Sequence, residues 1–200
     1  MLIPHAVEVP GCSPRRMKRT IGNGQIEVVR GNIALQQVDA IVNAANSWML
    51  GGGGVDGAIH AAAGPALLAE CKQVPVDARG HRCPTGETRT TGAGRLAARY
   101  VIHGVGPVYD AERAGEADRQ LRAVHASALA AAADHACASV AFPAISTGAY
   151  GFPIARAAAI AIDAVADFQR GPRPIAEVRF VLFSASDLAV CERALAAIVG

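Results

Sequence analysis

The sequence predicts an α/β layered domain built on a largely parallel sheet. Short β-branched runs alternate along the chain with longer segments of helical spacing, as strands joined by crossover helices do. The chain has 200 residues, which suits one domain of ordinary size and is too short for two well-cored ones. Aromatic residues make up 4% of it, which disfavours an aromatic-rich β-sandwich. We therefore expect valine and isoleucine strands under alanine-rich helices.

The elements follow in order from the apolar pattern. Each predicted strand is a short run rich in β-branched residues, and these runs cover residues 26–29, 40–42, 100–105, 139–144 and 178–183. Apolar residues at helical spacing predict helices over residues 55–74, 114–136, 153–169 and 187–199. The first helix should bend at Gly64–Pro65. Pro153 and Asp187 are residue types that begin helices.

The start of the chain reads differently from the rest. Residues 1–24 hold several prolines, a basic cluster and the run Gly22-Asn23-Gly24. Such a composition is typical of a loose segment. We expect an N-terminal extension over residues 1–24, followed by a single domain over residues 25–200.

Charge and cysteine content exclude several classes of protein. The formal net charge is +2 and the basic residues are mostly scattered, so a sequence-specific nucleic-acid partner is not expected. No apolar run is long enough to span a membrane, and no secretory signal is visible, so we expect a cytoplasmic protein without a membrane partner. The five cysteines form no C-x-x-C pair and are expected to be reduced. His81-x-Cys83 has no second half with ligand spacing, so no metal and no cofactor is predicted.

Two loops at the expected carboxyl ends of strands carry the chemistry. The first runs from Asn43 to four successive glycines at residues 51–54 and enters a helix that contains Asp56 and His60. Glycines without Cβ atoms let backbone amides approach a bulky polar ligand. Asp56 and His60 are four residues apart, so they project from one face of the helix.

The second loop covers residues 145–151 and precedes the helix that starts near Pro153. Its amides, the hydroxyls of Ser146 and Thr147 and the helix dipole would converge on one anionic group. A diphosphate fits this arrangement.

Other nucleotide and hydrolase motifs fit less well. Gly52-x-Gly54-x-x-Gly57 formally matches the dinucleotide fingerprint, but the connection from the preceding strand is too long for that motif, and Asp56 places a carboxylate where a pyrophosphate would lie. No glycine-rich loop ends in Lys-Ser or Lys-Thr as in a P-loop. Ser146 lacks the G-x-S-x-G setting of a serine hydrolase.

Several ordered motifs together resemble the macro domain, and within it the MacroD-type ADP-ribosyl hydrolases and O-acetyl-ADP-ribose deacetylases. The resemblance covers about residues 25–199 and implies a three-layer α/β/α fold with a central mixed sheet and a cleft for ADP-ribose. The motifs are Gly31-Asn32-Ile33, residues 38–46 ending in Asn43-Ala44-Ala45-Asn46, residues 51–60, Thr85-Gly86-Glu87, Tyr100-Val101-Ile102-His103 and Ile145-Ser146-Thr147-Gly148.

The resemblance implies catalytic roles for Asn46, Asp56 and His60. Asp56 would orient or deprotonate a water, unless a substrate phosphate activates it, and Asn46 would hold that water or the distal ribose. Each residue also has a structural interpretation: Asn46 as a turn cap, Asp56 as a helix stabiliser and His60 as a buried histidine or a support for Asp56. His103 is interpreted as structural.

For binding, the resemblance implies two groups of residues. The loop residues would surround the diphosphate and ribose, and Phe183 would lie beside the adenine unless it belongs to the core. Asn32 replaces the acid that commonly accepts from the adenine amino group, and its carbonyl oxygen would accept that bond more weakly. Trp48 would cover the distal ribose or pack against the sheet. The expected ligand residues are Asn32, Ile33, Gly52, Gly53, Gly54, Val55, Ser146, Thr147, Gly148, Ala149, Tyr150 and Phe183.

We therefore expect a hydrolase that removes acetate from O-acetyl-ADP-ribose and mono-ADP-ribose from acidic side chains. A non-catalytic ADP-ribose reader and an ADP-ribose-1''-phosphate phosphatase remain as alternatives, since both need the same cleft. The expected partners are ADP-ribose, its esters and mono-ADP-ribosylated proteins, and we expect a monomer.

Overall fold

The computed structural model describes residues 16–198. Its strands are Arg16–Ile21 (β1), Gly24–Arg30 (β2), Ala40–Ala44 (β3), Thr88–Gly92 (β4), Tyr100–Gly104 (β5), Ser139–Phe142 (β6) and Glu177–Leu182 (β7). Its α-helices are Gly54–Ala63 (α1), Pro65–Gln73 (α2), Ala114–Asp134 (α3), Ile154–Gln169 (α4) and Ala185–Ala197 (α5). Short 3₁₀ turns occupy Ile33–Leu35 and Ala111–Arg113.

The strands form one mixed sheet in the order β1-β2-β7-β6-β3-β5-β4. The five central strands from β2 to β5 run parallel, whereas the edge strands β1 and β4 are antiparallel to their neighbours. Because the carboxyl ends of parallel strands lie at one edge, the loops after β2, β3, β6 and β7 meet there. This edge holds the candidate site.

Side chains alternate between the two faces of the sheet, and each face is covered by helices. Val42 and Ile102 pack into a core with α3, α4 and α5, whereas their neighbours Ile41 and Val101 pack with α1 and α2. The predicted three-layer α/β/α architecture with a mixed sheet is therefore confirmed. Strands buried on both faces explain why the central strands read as continuous apolar runs.

The predicted helices lie where the structure has them, with small shifts at their ends. The first is broken into α1 and α2 at Gly64, whose φ of 78° interrupts the helix. The last begins at Ala185 and not at Asp187, because the Ser184 hydroxyl accepts a hydrogen bond from the Asp187 amide and caps the helix.

Both antiparallel edge strands were absent from the prediction. For residues 16–24 the expectation of a loose extension is wrong: β1 pairs with β2 along its whole length, through a two-residue turn at Gly22 and Asn23. The earlier residues, 1–15, lie outside the described part of the chain.

Four cysteines lie in the described part of the chain. Cys71, Cys83, Cys137 and Cys191 are free and buried, and burial raises the pKa of Cys71 and Cys83 to about 11. Within residues 16–198, no helix combines the length and the apolar character needed to cross a membrane.

Candidate functional site

Two adjoining cavities form a cleft along the carboxyl edge of the sheet. One, which we call the Asp56 lobe, has a volume of about 340 Å³ and lies between the loops after β3 and β6. The other, the Phe183 lobe, has a volume of about 430 Å³ and lies between the loops after β2 and β7. Gly54, Val55, Ala144 and Gly148 line both lobes, so the two cavities are continuous.

The structure brings the predicted ligand residues together. Every one of them lines a lobe. The Asp56 lobe takes Gly52, Gly53, Gly54, Val55, Ser146, Gly148, Ala149 and Tyr150, and the Phe183 lobe takes Asn32, Ile33, Thr147 and Phe183, with Gly54, Val55 and Gly148 shared. Of the predicted catalytic residues, Asn46 and Asp56 line the Asp56 lobe, whereas His60 lines neither lobe.

Asp56 lies in the first turn of α1 and is 5% exposed. Its Oδ1 accepts a hydrogen bond of 2.6 Å from Asn43 Nδ2 on β3. A Cβ atom at Gly52 would lie 3.0 Å from Asp56 Oδ2, so a side chain at that position would crowd the carboxylate and the ligand space beside it. The carboxylate is thus fixed from behind and open toward the lobe.

A buried chain of hydrogen bonds continues from Asn43 away from the cleft. Asn43 Nδ2 lies 3.1 Å from His103 Nδ1, and His103 Nε2 lies 3.0 Å from the Thr91 hydroxyl, which donates to the Gly92 carbonyl. Burial, with a smaller contribution from nearby His60, lowers the pKa of His103 to about 3, so the ring is neutral. A neutral ring that is protonated on Nε2 satisfies every bond of this chain. His103 Nε2 then donates to the Thr91 hydroxyl, and Asn43 Nδ2 donates to both His103 Nδ1 and Asp56 Oδ1.

Sequence reasoning assigned no role to Asn43, although it opens the Asn-Ala-Ala-Asn motif. Both of its amide hydrogens are engaged in this chain, and its own Oδ1 is buried without a partner among the described residues. His103, interpreted as structural, is here the group that orients Asn43. Asn43 and His103 act as positioning residues for Asp56.

Asn46 holds the loop that follows β3. Its Oδ1 accepts from the amides of Trp48 and Met49, each at 3.1 Å, and its Nδ2 donates to the Gly51 carbonyl at 3.0 Å. The turn-capping interpretation is therefore correct. One amide hydrogen is left over, and Asn46 also lines the lobe, so capping and ligand contact are compatible in this side chain.

His60 lies behind Asp56, on the next turn of α1. Its Nε2 is 3.4 Å from Asp56 Oδ1, close enough for charge interaction but without the alignment of a hydrogen bond. Its ring lies 6.2 Å from that of His103. The ring therefore lies beside Asp56 without reaching the cavity, and its catalytic role stays a prediction.

The loop after β6 carries an unusual backbone. Ser146 has a φ of 66°, a conformation that L-residues rarely adopt, and its buried hydroxyl has no partner among the described residues. Thr147 differs, since its hydroxyl donates to the Ala144 carbonyl. The Thr147 hydroxyl is therefore already engaged as a donor, whereas the buried Ser146 hydroxyl is not.

The same loop also lines the cleft with residues whose backbone amides are free. Within the described chain, the N–H groups of Gly148, Ala149 and Tyr150 have no hydrogen-bond partner. A Cβ atom on Gly148 would meet no atom within 4 Å, so packing does not explain the glycine. Adjacent free amides of this kind form a concave site for an anion. Tyr150 closes the lobe on this side; burial, and then the charge of Asp56, raise the pKa of its phenol.

The Phe183 lobe combines buried apolar residues such as Val181 and Leu182 with exposed side chains at its mouth. Phe183 is 85% exposed, which rules out the core interpretation of its ring. Asn32 Oδ1 accepts from the Ala34 amide at 2.9 Å, so the carbonyl oxygen expected to accept from a base already has a donor, and Nδ2 is a donor without a hydrogen-bond partner among the described residues. Asp187, which sequence reasoning treated only as a helix start, also lines this lobe and has no ion-pair partner in the described chain.

Three potential metal ligands lie together behind the cleft. Atoms of His60, Cys71 and His103 are within 4.8 Å of one another. The set fits a metal poorly, because His103 Nε2 is hydrogen-bonded to Thr91 and the raised pKa of Cys71 keeps its thiol protonated. We assign no metal to it.

Comparisons with known proteins point the same way. Residues 42–161 match the family model described as Macro domain. An O-acetyl-ADP-ribose deacetylase of Klebsiella pneumoniae is 49% identical over 172 residues, 86% of this chain and 97% of that protein. Other relatives of similar identity are named only as macro domain-containing proteins.

Solved structures share the fold over most of the chain. An Oceanobacillus iheyensis macrodomain with ADP superposes with a TM-score of 0.87 at 38% identity, covering 92% of this chain and 97% of that one. A Trypanosoma brucei macrodomain in complex with ADP-ribose superposes with a TM-score of 0.73 at 40% identity, covering 84% of this chain and 68% of that one.

Proposed function

The chain belongs to the macro domain family, and from that premise we propose that it binds ADP-ribose and hydrolyses esters of the distal ribose. The substrates are O-acetyl-ADP-ribose and proteins mono-ADP-ribosylated on acidic side chains. In both, a carboxylic acid is esterified to a ribose hydroxyl, so one site serves both. The relative named as a deacetylase supports this assignment. A cytoplasmic location and a monomeric state stay predictions.

The shape of the cleft supports the binding step. The apolar Phe183 lobe accepts the base, with the exposed Phe183 ring beside it. The free amides of Gly148, Ala149 and Tyr150 receive the diphosphate where the lobes join. The distal ribose then enters the Asp56 lobe, where Asn46 and Asp56 offer the polar groups.

The observation that carries the proposal is the buried Asp56 carboxylate, fixed by Asn43 at 2.6 Å and facing a cavity. Asp56 takes a proton from a water, and the water oxygen bonds to the acyl carbon of the ester. The bond from that carbon to the ribose oxygen breaks, and the ribose oxygen takes up the proton. General-base assistance of this kind contributes roughly 10²–10⁴-fold to the rate.

Parallel turnover assays with O-acetyl-ADP-ribose and a mono-ADP-ribosylated protein test the proposal. We expect wild type to release acetate and ADP-ribose, and Asp56→Ala to lower both rates by about 10²–10⁴-fold. Asp134→Ala removes an exposed carboxylate at the end of α3 and is the matched control, with rates unchanged.

Three results would contradict the assignment. Tight ADP-ribose binding in calorimetry with no turnover would identify a reader. Release of phosphate from ADP-ribose-1''-phosphate, without hydrolysis of either ester, would identify a phosphatase. Full activity of Asp56→Ala would move water activation to a substrate phosphate.

A further inference from the structure

The side chain of Trp48 has no place in the site described so far. It lines neither lobe and is 53% exposed, so it neither encloses the ribose nor packs into the core. Leu50, two residues later, is 44% exposed. Large apolar side chains at the surface mark contact sites when they cluster.

The loop presents this indole rigidly. Asn46 Oδ1 accepts from the Trp48 amide, and Arg82 Nη1 donates to the Trp48 carbonyl at 3.2 Å. The amides of Arg82 and Cys83 donate to the Ser47 carbonyl at 2.8 and 3.1 Å. A contact surface that is already ordered loses little entropy when a partner binds.

A second segment completes the surface and makes it basic. The edge of the His81 ring meets Trp48, with ring centres 5.7 Å apart. Arg79 and Arg82 flank His81, and the only acid among residues 77–82, Asp77, accepts hydrogen bonds from the amides of Arg79 and His81 through Oδ1. We call Trp48, Leu50, Arg79, His81 and Arg82 the Trp48 surface. It combines an aromatic anchor with guanidinium groups.

The Trp48 surface adjoins the Asp56 lobe at Asn46. The side chain of Asn46 lines the lobe, and its Oδ1 accepts a hydrogen bond from the Trp48 backbone amide. A group that is attached to a ribose in that lobe and extends past Asn46 would come beside Trp48. An acetyl group is too small to extend so far, whereas a polypeptide is not.

We propose that the Trp48 surface binds the polypeptide around the modified side chain of an ADP-ribosylated protein, and that it favours acidic segments. The inference rests on the proposed function for its occupant, and it adds a partner contact that O-acetyl-ADP-ribose does not make. Tryptophan and arginine are the residues that dominate protein contacts, and opposite charge selects the partner.

Binding measurements test this without relying on turnover. The probes are a peptide that carries ADP-ribose through a non-hydrolysable amide linkage and is flanked by glutamates, the same peptide flanked by lysines, and free ADP-ribose. We expect the acidic peptide to bind wild type about tenfold more tightly than free ADP-ribose. In Trp48→Ser the two affinities should become equal, while Trp48→Phe retains most of the difference.

Charge reversal and kinetics sharpen the test. Arg79→Glu should invert the preference between the two peptides. With ester substrates, Trp48→Ser should raise the KM for the modified protein about tenfold with kcat unchanged, and leave O-acetyl-ADP-ribose hydrolysis within about twofold.

Two outcomes overturn the inference. In one, Trp48→Ser weakens free ADP-ribose as much as the acidic peptide, which would make Trp48 a ribose contact. In the other, all three probes bind wild type equally. Failure of the proposed hydrolase is separate, because it appears as absent turnover while the peptide preference is still measurable.

Discussion

The two lobes of the cleft are built in opposite ways. In the Asp56 lobe, the reactive side chain is buried and tied through Asn43 and His103 to a strand on the far side of β5. In the Phe183 lobe, the Phe183 ring is almost fully exposed, and the Asn32 side chain accepts one short-range hydrogen bond, from the Ala34 amide. The Asp56 lobe is therefore held by the sheet, whereas the polar and aromatic groups of the Phe183 lobe lie at the protein surface.

The difference follows from what each lobe has to do. Activating a water requires a carboxylate held within a fraction of an ångström, which only a packed and hydrogen-bonded support provides. Holding a flat base requires contact area and tolerates small displacements. Damage to the supports behind Asp56 should therefore cost stability and rate, whereas changes around Phe183 should alter affinity alone.

The largest expected effect is that of acid on the free energy of unfolding, in part through His103 behind the Asp56 lobe. The pKa of His103 is lowered to about 3 and that of His125 to about 4, in both cases mainly by burial. Below the ordinary histidine pKa of 6.5 the unfolded chain takes up protons that the folded protein does not, so stability falls as pH falls. With both rings neutral in the fold, the free energy of unfolding should drop by about 2–3 kcal/mol per pH unit between pH 6 and pH 5.

Urea unfolding at pH 7, 6, 5 and 4.5 measures this slope. His103→Gln should reduce it by about half, whereas His135→Gln, at an exposed position, should leave it unchanged. A stability that is flat over this range would show that neither ring is held neutral, and the chain behind Asp56 would need another protonation pattern.

The next largest effect should come from removing Asn43, the hydrogen-bond donor between Asp56 and His103. Asn43→Leu leaves Asp56 Oδ1 and His103 Nδ1 buried without the hydrogen bonds they now accept. We expect a loss of about 2–3 kcal/mol in the free energy of unfolding. The ester-hydrolysis rate should fall about 10- to 100-fold because Asp56 is no longer oriented, with ADP-ribose affinity changed less.

The same substitution in the other lobe is the control. Asn32→Leu removes one local hydrogen bond at an exposed position, so stability should change by less than about 1 kcal/mol and kcat should stay as in wild type. Equal losses of stability in the two variants would mean that the lobes do not differ in the way the hydrogen bonds indicate.

The contrast also explains what sequence could predict. The central strands and the ligand loops were found because burial on both faces and glycine runs leave local patterns. The basic residues of the edge strand β1 predict a loose segment, although the Gly22-Asn23 pair is typical of a tight hairpin turn. Strand β4 reads Thr-Arg-Thr-Thr-Gly and has no apolar alternation.

Long-range partners left no local signal at all. Asn43 and His103 are 60 residues apart and meet only because β3 and β5 pair in register. The family resemblance predicted catalytic roles for Asn46 and Asp56 and a place beside the adenine for Phe183, and the structure places all three along one cleft. The free donor on Asn32 depended on a hydrogen bond to Ala34 that sequence does not reveal.

The smallest effect should come from replacing one atom, Nδ2 of Asn32, in the Phe183 lobe. In Asn32→Asp, one carboxylate oxygen keeps the hydrogen bond to the Ala34 amide and the other replaces the free donor Nδ2 with an acceptor. An acceptor matches the 6-amino group of adenine, so ADP-ribose should bind about three- to tenfold more tightly, or about 1 kcal/mol. The hypoxanthine analogue of ADP-ribose carries a carbonyl in place of the 6-amino group and should bind the variant less tightly. The kcat for the ester substrates should not change. Calorimetry with the two nucleotides measures both affinities. A general effect of the added charge would change both affinities in the same direction, and this result would show that the base does not contact residue 32.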